Sequence, residues 1–445
     1  MRLFHLAASA LALAAAAAAQ PALAEDVATK EAIEAEYDNY LAPLFLDFHQ
    51  NPELGFLENR TAAKMATELK AAGLEVTTGV GGTGVVAILK NGKGPLILIR
   101  ADMDGLPVEE KSGLPYASKA KQVGEDGKEY NVMHACGHDT HITAMIATAR
   151  RLAATKGQWS GTLMFVVQPA EEGVRGAKRM MEDGLYQRFG KPDYALAFHV
   201  AAELETGKVS AAEGIQYSSS DTLDVRVPGI GTHGASPHLG KDPVYIASQI
   251  VTALQSIDSR EISPLKPVVV TVGAFHAGSA YNIISDEANL KLTVRANDEE
   301  TRAKVIALVE RIAVNIGKAH GLPDNMPVTV KHFSGTPTTN NDPALARRLN
   351  AVMKRALGEG AVVPFEQQNM GAEDFAYFVG ADTGVPGYYF AVGGTTPERI
   401  AAAKAGGPPI AGHHSPLFQI APRESITVGA RAMVAAVLDL AGKKK

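Results

Sequence analysis

The chain has 445 residues, of which 46% are hydrophobic and 20% charged, and a formal net charge of −5. That length allows roughly two or three domains with full cores, and the acidic balance excludes a nucleic-acid binder that works through a basic face. One cysteine, Cys136, excludes an internal disulfide and leaves packing, redox chemistry or metal binding for its thiol.

In chain order, Arg2 precedes an alanine- and leucine-rich run from Leu3 to Ala19, and Ala22-Leu23-Ala24 follows as a small-x-small cleavage pattern. This reads as a secretory signal peptide over residues 1–24, removed after Ala24. The mature protein is expected to be soluble and exported, most simply to a bacterial periplasm, because no later run approaches the ~18 apolar residues of a spanning helix. An oxidising compartment makes a free thiol a liability, which a metal thiolate would avoid.

Glu31 to Phe48 is expected to be helical, with acids in its early turns as the helix dipole prefers. Asn51-Pro52 stops it, and Arg60 to Ala72 forms a second helix that Gly73 ends. Gly84–Leu89, Leu96–Ala101, Leu163–Val167 and Tyr194–Val200 read as buried strands, and His138–Ala154 and Gly176–Arg188 as helices. The alternation predicts an α/β domain with a mostly parallel sheet. The rhythm then changes: strand Thr222–Val227, helix Val244–Ile257, strands Val268–Gly273 and Asn289–Arg295, helix Glu300–Ala319, strand Val328–His332. That order, β-α-β-β-α-β, is a ferredoxin-like unit. It predicts a lid or dimerisation domain over 217–335, inserted into a catalytic domain made of 25–216 and 336–445. The basic tail Lys443-Lys444-Lys445 reads as solvated.

Two glycine patterns, Gly79 to Gly84 and Gly229 to Gly234, fit G-x-G-x-x-G but not its context. The first precedes a strand, and Pro237 and Pro243 deny the second a phosphate-binding helix. The chemistry gathers elsewhere. Cys136 stands among His134, His138 and His141, and thiolate with imidazole is the ligand set of a zinc-like metal. Arg100-Ala101-Asp102-Met103-Asp104 closes one expected strand, Gln168-Pro169-Ala170-Glu171-Glu172 another, and His199 ends a third. Ligands of open α/β sheets sit outside the carboxyl ends of strands, so these groups are expected to converge.

These residues carry a resemblance. The sequence resembles the M20 metallopeptidase family, in its amidohydrolase branch of hippurate and auxin-conjugate hydrolases. The motifs are Arg100–Pro107, Met133–His141, Gln168–Glu172, Met370–Phe375 and Gly412–Phe418, with Thr232–His238 in the insert. The resemblance implies that Cys136, His138, Glu172, His199 and His414 are metal ligands and that Glu171 is the general base. Five ligands, a bridging thiolate and a bridging water would complete two tetrahedral metals. Zinc or manganese is expected, with cobalt or nickel possible by exchange. Asp102 and Asp104 would orient ligands or balance charge. In the insert, His233 matches a histidine that stabilises the oxyanion across a dimer, and Asn282 and Arg295 match positions that hold substrate polar groups or a carboxylate. His238 is a weaker candidate.

The chain departs from the family pattern at Gly173-Val174-Arg175-Gly176, where Arg175 would open a helix and is read as a contact to an anionic substrate group. Tyr281 and Ser285 flank Asn282 where relatives often carry proline, which bears on specificity. The expected activity is hydrolysis of N-acyl amino acids by a secreted dinuclear metal amidohydrolase, a homodimer through the lid with a small-molecule substrate. The alternatives are a dipeptidase or carboxypeptidase with the same metals, or a binding protein of the same fold.

Overall fold

The computed structural model describes residues 29–443, so the expected leader over 1–24 lies outside the described residues. The chain forms two compact units. Residues 29–214, 341–366 and 377–443 make the first, and Ile215–Asn340 with Gln367–Ala376 the second. The sequence reading put boundaries at 216/217 and 335/336 and left all later residues in the first domain. The segment Gln367–Ala376, which carries the Met370–Phe375 motif, instead joins the second unit. Its backbone explains why: Ser218 N donates to Gly371 O at 2.9 Å, and Thr339 Oγ1 to Glu373 O at 2.8 Å.

The first unit is built on a seven-stranded sheet. Its spatial order is Glu75–Val80, Gly84–Asn91, Gly161–Gln168, Leu96–Asp102, Tyr194–Glu205, Gly387–Thr395 and Val209–Ser210. The strands starting at Gly161, Leu96, Tyr194 and Gly387 run parallel, and the pairings on either side of them are antiparallel. The parallel strands are valine-, leucine- and isoleucine-rich and buried on both faces, as a covered parallel sheet requires. Helices His138–Ala154 and Pro422–Ala441 pack on the sheet and are themselves almost wholly buried. Small residues let the second approach closely: a Cβ at Gly429 would lie 2.7 Å from the Phe198 ring.

One irregularity positions the site. The strands Leu96–Asp102 and Tyr194–Glu205 pair only from Ile97↔Tyr194 to Arg100↔Ala197, then part. His199 lies two residues beyond the last pair, and Asp102 lies on the opposite bank. The expected helix over 176–188 is two short helices, Gly176–Glu182 and Leu185–Phe189, because Gly184 takes φ +81° between them. The first helix runs over 29–50 with a π-helical turn at Tyr37–Leu41. The sequence reading left the inner strand Gly387–Thr395, next to the sheet edge, unassigned.

The second unit has strands Ser220–Pro228, Val268–Ala277, Glu287–Ala296 and Thr329–Thr336, with helices Pro243–Leu254 and Glu299–Ala319. In chain order the strands stand 4-1-3-2 across an antiparallel sheet, the ferredoxin-like arrangement. Alternate residues Ala288, Leu290, Leu292, Val294 and Ala296 are buried, so Arg295 lies on the opposite face. Among the described residues, no helix is long and apolar enough to cross a membrane.

Candidate metal centre

The parting of the two strands leaves polar backbone without a sheet partner, and a histidine takes it up. Val200 N donates to His141 Nε2 at 2.9 Å, and His141 Nδ1 lies 2.6 Å from Asp102 Oδ1. With Nε2 accepting, the proton sits on Nδ1 and is donated to the carboxylate. Burial, against the pull of Asp102, lowers the His141 pKa to about 3, in keeping with this neutral ring. Burial pushes the Asp102 carboxyl up, but Arg100 and the histidines at 138 and 141 hold it well below the usual carboxylate range. Arg100, only 2% exposed, gives Nη1 to Asp102 Oδ2 at 2.5 Å and Nε to Gln168 Oε1 at 2.8 Å.

Asp104 organises the next layer. Its carboxylate accepts from Glu171 N and Glu172 N, both at 3.0 Å, and its carbonyl accepts from His138 Nδ1 at 2.8 Å. Glu58 Oε1 accepts from Ala170 N at 2.8 Å. Three successive amides, 170 to 172, thus rest on two buried carboxylates. The turn needs this support, because Ala170 has φ +46° and Val174 φ +47°, in the left-handed region costly for a side chain with a Cβ. Gly137, φ +88°, makes the tight turn before the helix His138–Ala154, where a Cβ would strike Val200 Cγ1 at 2.4 Å.

The five expected ligands and the expected base come together within the first unit. Cys136 Sγ lies 3.3 Å from His199 Nε2, and His414 Nε2 lies 3.2 Å from Glu172 Oε2. His138 Nε2 faces Asp102 Oδ1, Glu171 Oε2 and Glu172 Oε1, each at 3.9 Å. Ligand atoms of Cys136, His138 and His199, of Cys136, Glu172 and His414, and of His138, Glu171 and Glu172 each fall within 4.8 Å of one another. Glu171 is 7% exposed.

The donor set fits a pair of divalent cations. His138 gives its Nδ1 proton to the Asp104 carbonyl, and His199 Nδ1 lies 2.7 Å from Val200 O, so both rings turn a lone pair on Nε2 inward. His138 Nε2 and Glu172 Oε1 are buried without a hydrogen-bond partner. A lone pair among three carboxylates is unfavourable unless positive charge sits between them. Burial opposes charge on His138, yet Asp102 and Asp104 raise its pKa to about 10, so a proton alone would be held there tightly. A hydrogen bond donated to the Glu172 carboxylate likewise raises the His414 pKa. Thiolate, imidazoles and carboxylate suit borderline-soft divalent metals.

A family model described as peptidase family M20/M25/M40 matches residues 98–405. The chain belongs to that family. Among curated relatives, the hippurate hydrolase of Campylobacter jejuni subsp. jejuni is 41% identical over 331 residues, covering 74% of this chain and 82% of the relative. Among solved structures, a candidate aminohydrolase from methicillin-resistant Staphylococcus aureus superposes with TM-score 0.82 at 31% identity, covering 93% of this chain and 98% of the other. The YXEP protein of Bacillus subtilis, a dinuclear metal-binding peptidase of the M20 family, gives TM-score 0.73 at 28% identity, covering 92% and 99%.

The remaining candidates are placed as follows. Arg175 is exposed, stacks its guanidinium 5.2 Å from the Phe56 ring and lies 3.8 Å from Glu125. In the second unit, Thr232–His233 pairs with Ile283–Ile284, which brings exposed His233 beside exposed Asn282, whose carbonyl accepts from Gly234 N at 2.7 Å. Arg295 is half-buried, and desolvation lowers its pKa despite Asp221. His238 is exposed on the short helix Pro237–Leu239. Sequence reasoning gave no role to Glu58, His141 or His413. Each acts through a partner 59 to 211 residues away, which no local spacing reports.

Proposed function

We infer that this protein, a metallo-amidohydrolase of the M20 family, hydrolyses the amide bond of N-acyl amino acids and uses Glu171 as general base. The observation that carries this reading is the convergence of the ligand atoms of Cys136, His138, Glu172, His199 and His414, with buried Glu171 facing the same His138 lone pair. Two divalent cations held by those five residues, zinc by the thiolate and imidazole donors with manganese as the alternative, would polarise the amide carbonyl and lower the pKa of the attacking water. Glu171 accepts the proton of that water on a carboxylate oxygen as the new C–O bond forms. It returns the proton to the amide nitrogen as the C–N bond breaks, releasing a carboxylate and a free amino acid. Asp104 fixes Glu171 and Glu172 by their backbone amides, so that base and ligand keep a constant separation.

In the second unit, Ala235 N donates to His233 Nδ1 at 3.0 Å, which leaves the proton of the neutral ring on Nε2. Such a donor suits stabilisation of a tetrahedral oxyanion, and Asn282 and Arg295 suit the polar groups and carboxylate of the amino-acid half. Arg175, with its charge exposed, is proposed to contact an anionic substrate group. Dimerisation through this unit is supported by the edge strand Val268–Ala277, ten residues without a charge or proline, which leaves an unpaired backbone edge interrupted by one register shift between Val272 and Ala274. Export to the periplasm rests on the leader-like composition of residues 1–24 alone.

The test is amine release from N-benzoyl, N-acetyl and indole-acetyl amino acids, with free dipeptides alongside, for metal-loaded wild type and Glu171→Gln. Turnover of the acylated set, reduced about 10²–10⁴-fold in the variant at unchanged metal content, supports the reading. Turnover of dipeptides alone moves the protein to the peptidases, and silence on both panels overturns the enzyme assignment. Sedimentation of wild type and Thr271→Lys tests the dimer, and a monomeric wild type would reject it.

A further inference from the structure

We propose that His413 is a positioning residue that donates a hydrogen bond from Nδ1–H to the Cys136 thiolate, fixing that sulfur and moderating its strength as a metal donor. The inference rests on the reading of Cys136 as a metal ligand.

The adjacent histidines 413 and 414 are directed apart by the backbone. His414 has φ +66°, its amide donates to Ala135 O at 2.8 Å, and Ser415 N closes a turn on Gly412 O at 3.3 Å. His414 thereby reaches Glu172, while His413 lies against Cys136 and the strand Tyr194–Glu205. Ala202 N donates to His413 Nε2 at 3.3 Å, and His413 Nδ1 lies 3.7 Å from Cys136 Sγ. The backbone amide can only donate, so Nε2 bears the lone pair and the ring proton sits on Nδ1, facing the sulfur. The ring is locked between His199, at 5.1 Å between centroids, and Phe418, at 5.0 Å.

The two histidines nearest the sulfur therefore present opposite faces. His199, its Nδ1 engaged by the Val200 carbonyl, turns a lone pair toward the site, while His413 turns a proton toward the sulfur. Only the first can ligate. The second withdraws electron density from sulfur, as N–H···S hydrogen bonds do in thiolate metal centres. The His413–His414 pair thus divides the labour, with His414 a ligand by position and His413 a donor to a ligand.

The experiment uses the full-length mature protein loaded with Co²⁺. Wild type is expected to show a sulfur-to-cobalt charge-transfer band in the near ultraviolet that Cys136→Ser lacks. His413→Leu removes the ring. His413→Gln can still accept from Ala202 N but cannot present a proton at the Nδ1 position. His413→Asn places an amide N–H near that position and gives up the Ala202 bond. The proposal expects the band to move to longer wavelength in Leu and Gln and to return to the wild-type position in Asn. An unmoved band in Gln, or the same displacement in Asn as in Gln, overturns it even where the Leu variant fails to fold. A wild type without any thiolate band overturns both this inference and the ligand role of Cys136.

Discussion

Replacing His49 by glutamine should remove a specific pH dependence of stability. His49 Nδ1 lies 2.7 Å from Asp139 Oδ2 and Nε2 lies 3.4 Å from Glu110 Oε1, with the ring between Phe45 and Tyr116. Burial disfavours the imidazolium, but the two carboxylates outweigh it and raise the His49 pKa from 6.5 to about 9. A group whose pKa rises on folding contributes stability that is complete below its unfolded pKa and is lost as pH rises through the folded one. A shift from 6.5 to about 9 corresponds to about 3 kcal/mol. Most of that is still present at pH 7 and almost none at pH 10. Urea unfolding of wild type and His49→Gln, followed by tryptophan fluorescence and circular dichroism at saturating metal, gives the difference at each pH. The wild type should lose roughly 2–3 kcal/mol relative to the variant between pH 7 and pH 10. A difference that stays flat across that interval would refute the charged, doubly paired imidazole.

Glu58 titrates in the same sense for a different reason, since burial and the nearby Asp104 raise its carboxyl to about 7. Its stabilising contribution fades as pH climbs from 4.5 through 7, so Glu58→Gln should gain on wild type above neutrality in the same unfolding assay. Asp104→Ala removes the acceptor of two buried amides, and metal affinity measured by chelator competition should drop about 10–100-fold, with Asp104→Asn between the two. Trp159 is fully buried and donates Nε1–H to Leu152 O at 2.9 Å. Trp159→Phe should cost about 1–3 kcal/mol, and Trp159→Ala about 3–5 kcal/mol, in denaturant midpoints.

The groups that converge at the candidate metal centre were legible because residue type and local setting announce them. Cys136 among histidines, a Glu-Glu pair after an apolar strand and Pro169, and His199 at a strand end are each visible within a short window. The alternation of strands and helices exposed the α/β character in the same way. What holds those groups in place was not legible. Glu58 meets Ala170 across 112 residues, Asp104 meets Glu171 across 67, and Ala202 meets His413 across 211, so only the folded backbone brings them together. The reach of Gln367–Ala376 into the second unit was hidden for the same reason: its partners Ser218 and Thr339 are far away in sequence. His413 and His414 are equivalent as letters. A positive φ and one backbone amide separate their roles.

The histidine that replaces a missing strand partner has a consequence for how the centre is filled. By occupying Val200 N while anchored to Asp102, His141 acts as a wedge that prevents the two parallel strands from zipping together. The opening is therefore held by hydrogen bonds of the polypeptide itself. Metal uptake at such a centre differs from that of zinc modules that fold around their ion. Cations would enter a prepared socket, and stripping them should leave the seven-stranded sheet intact and ready to reload.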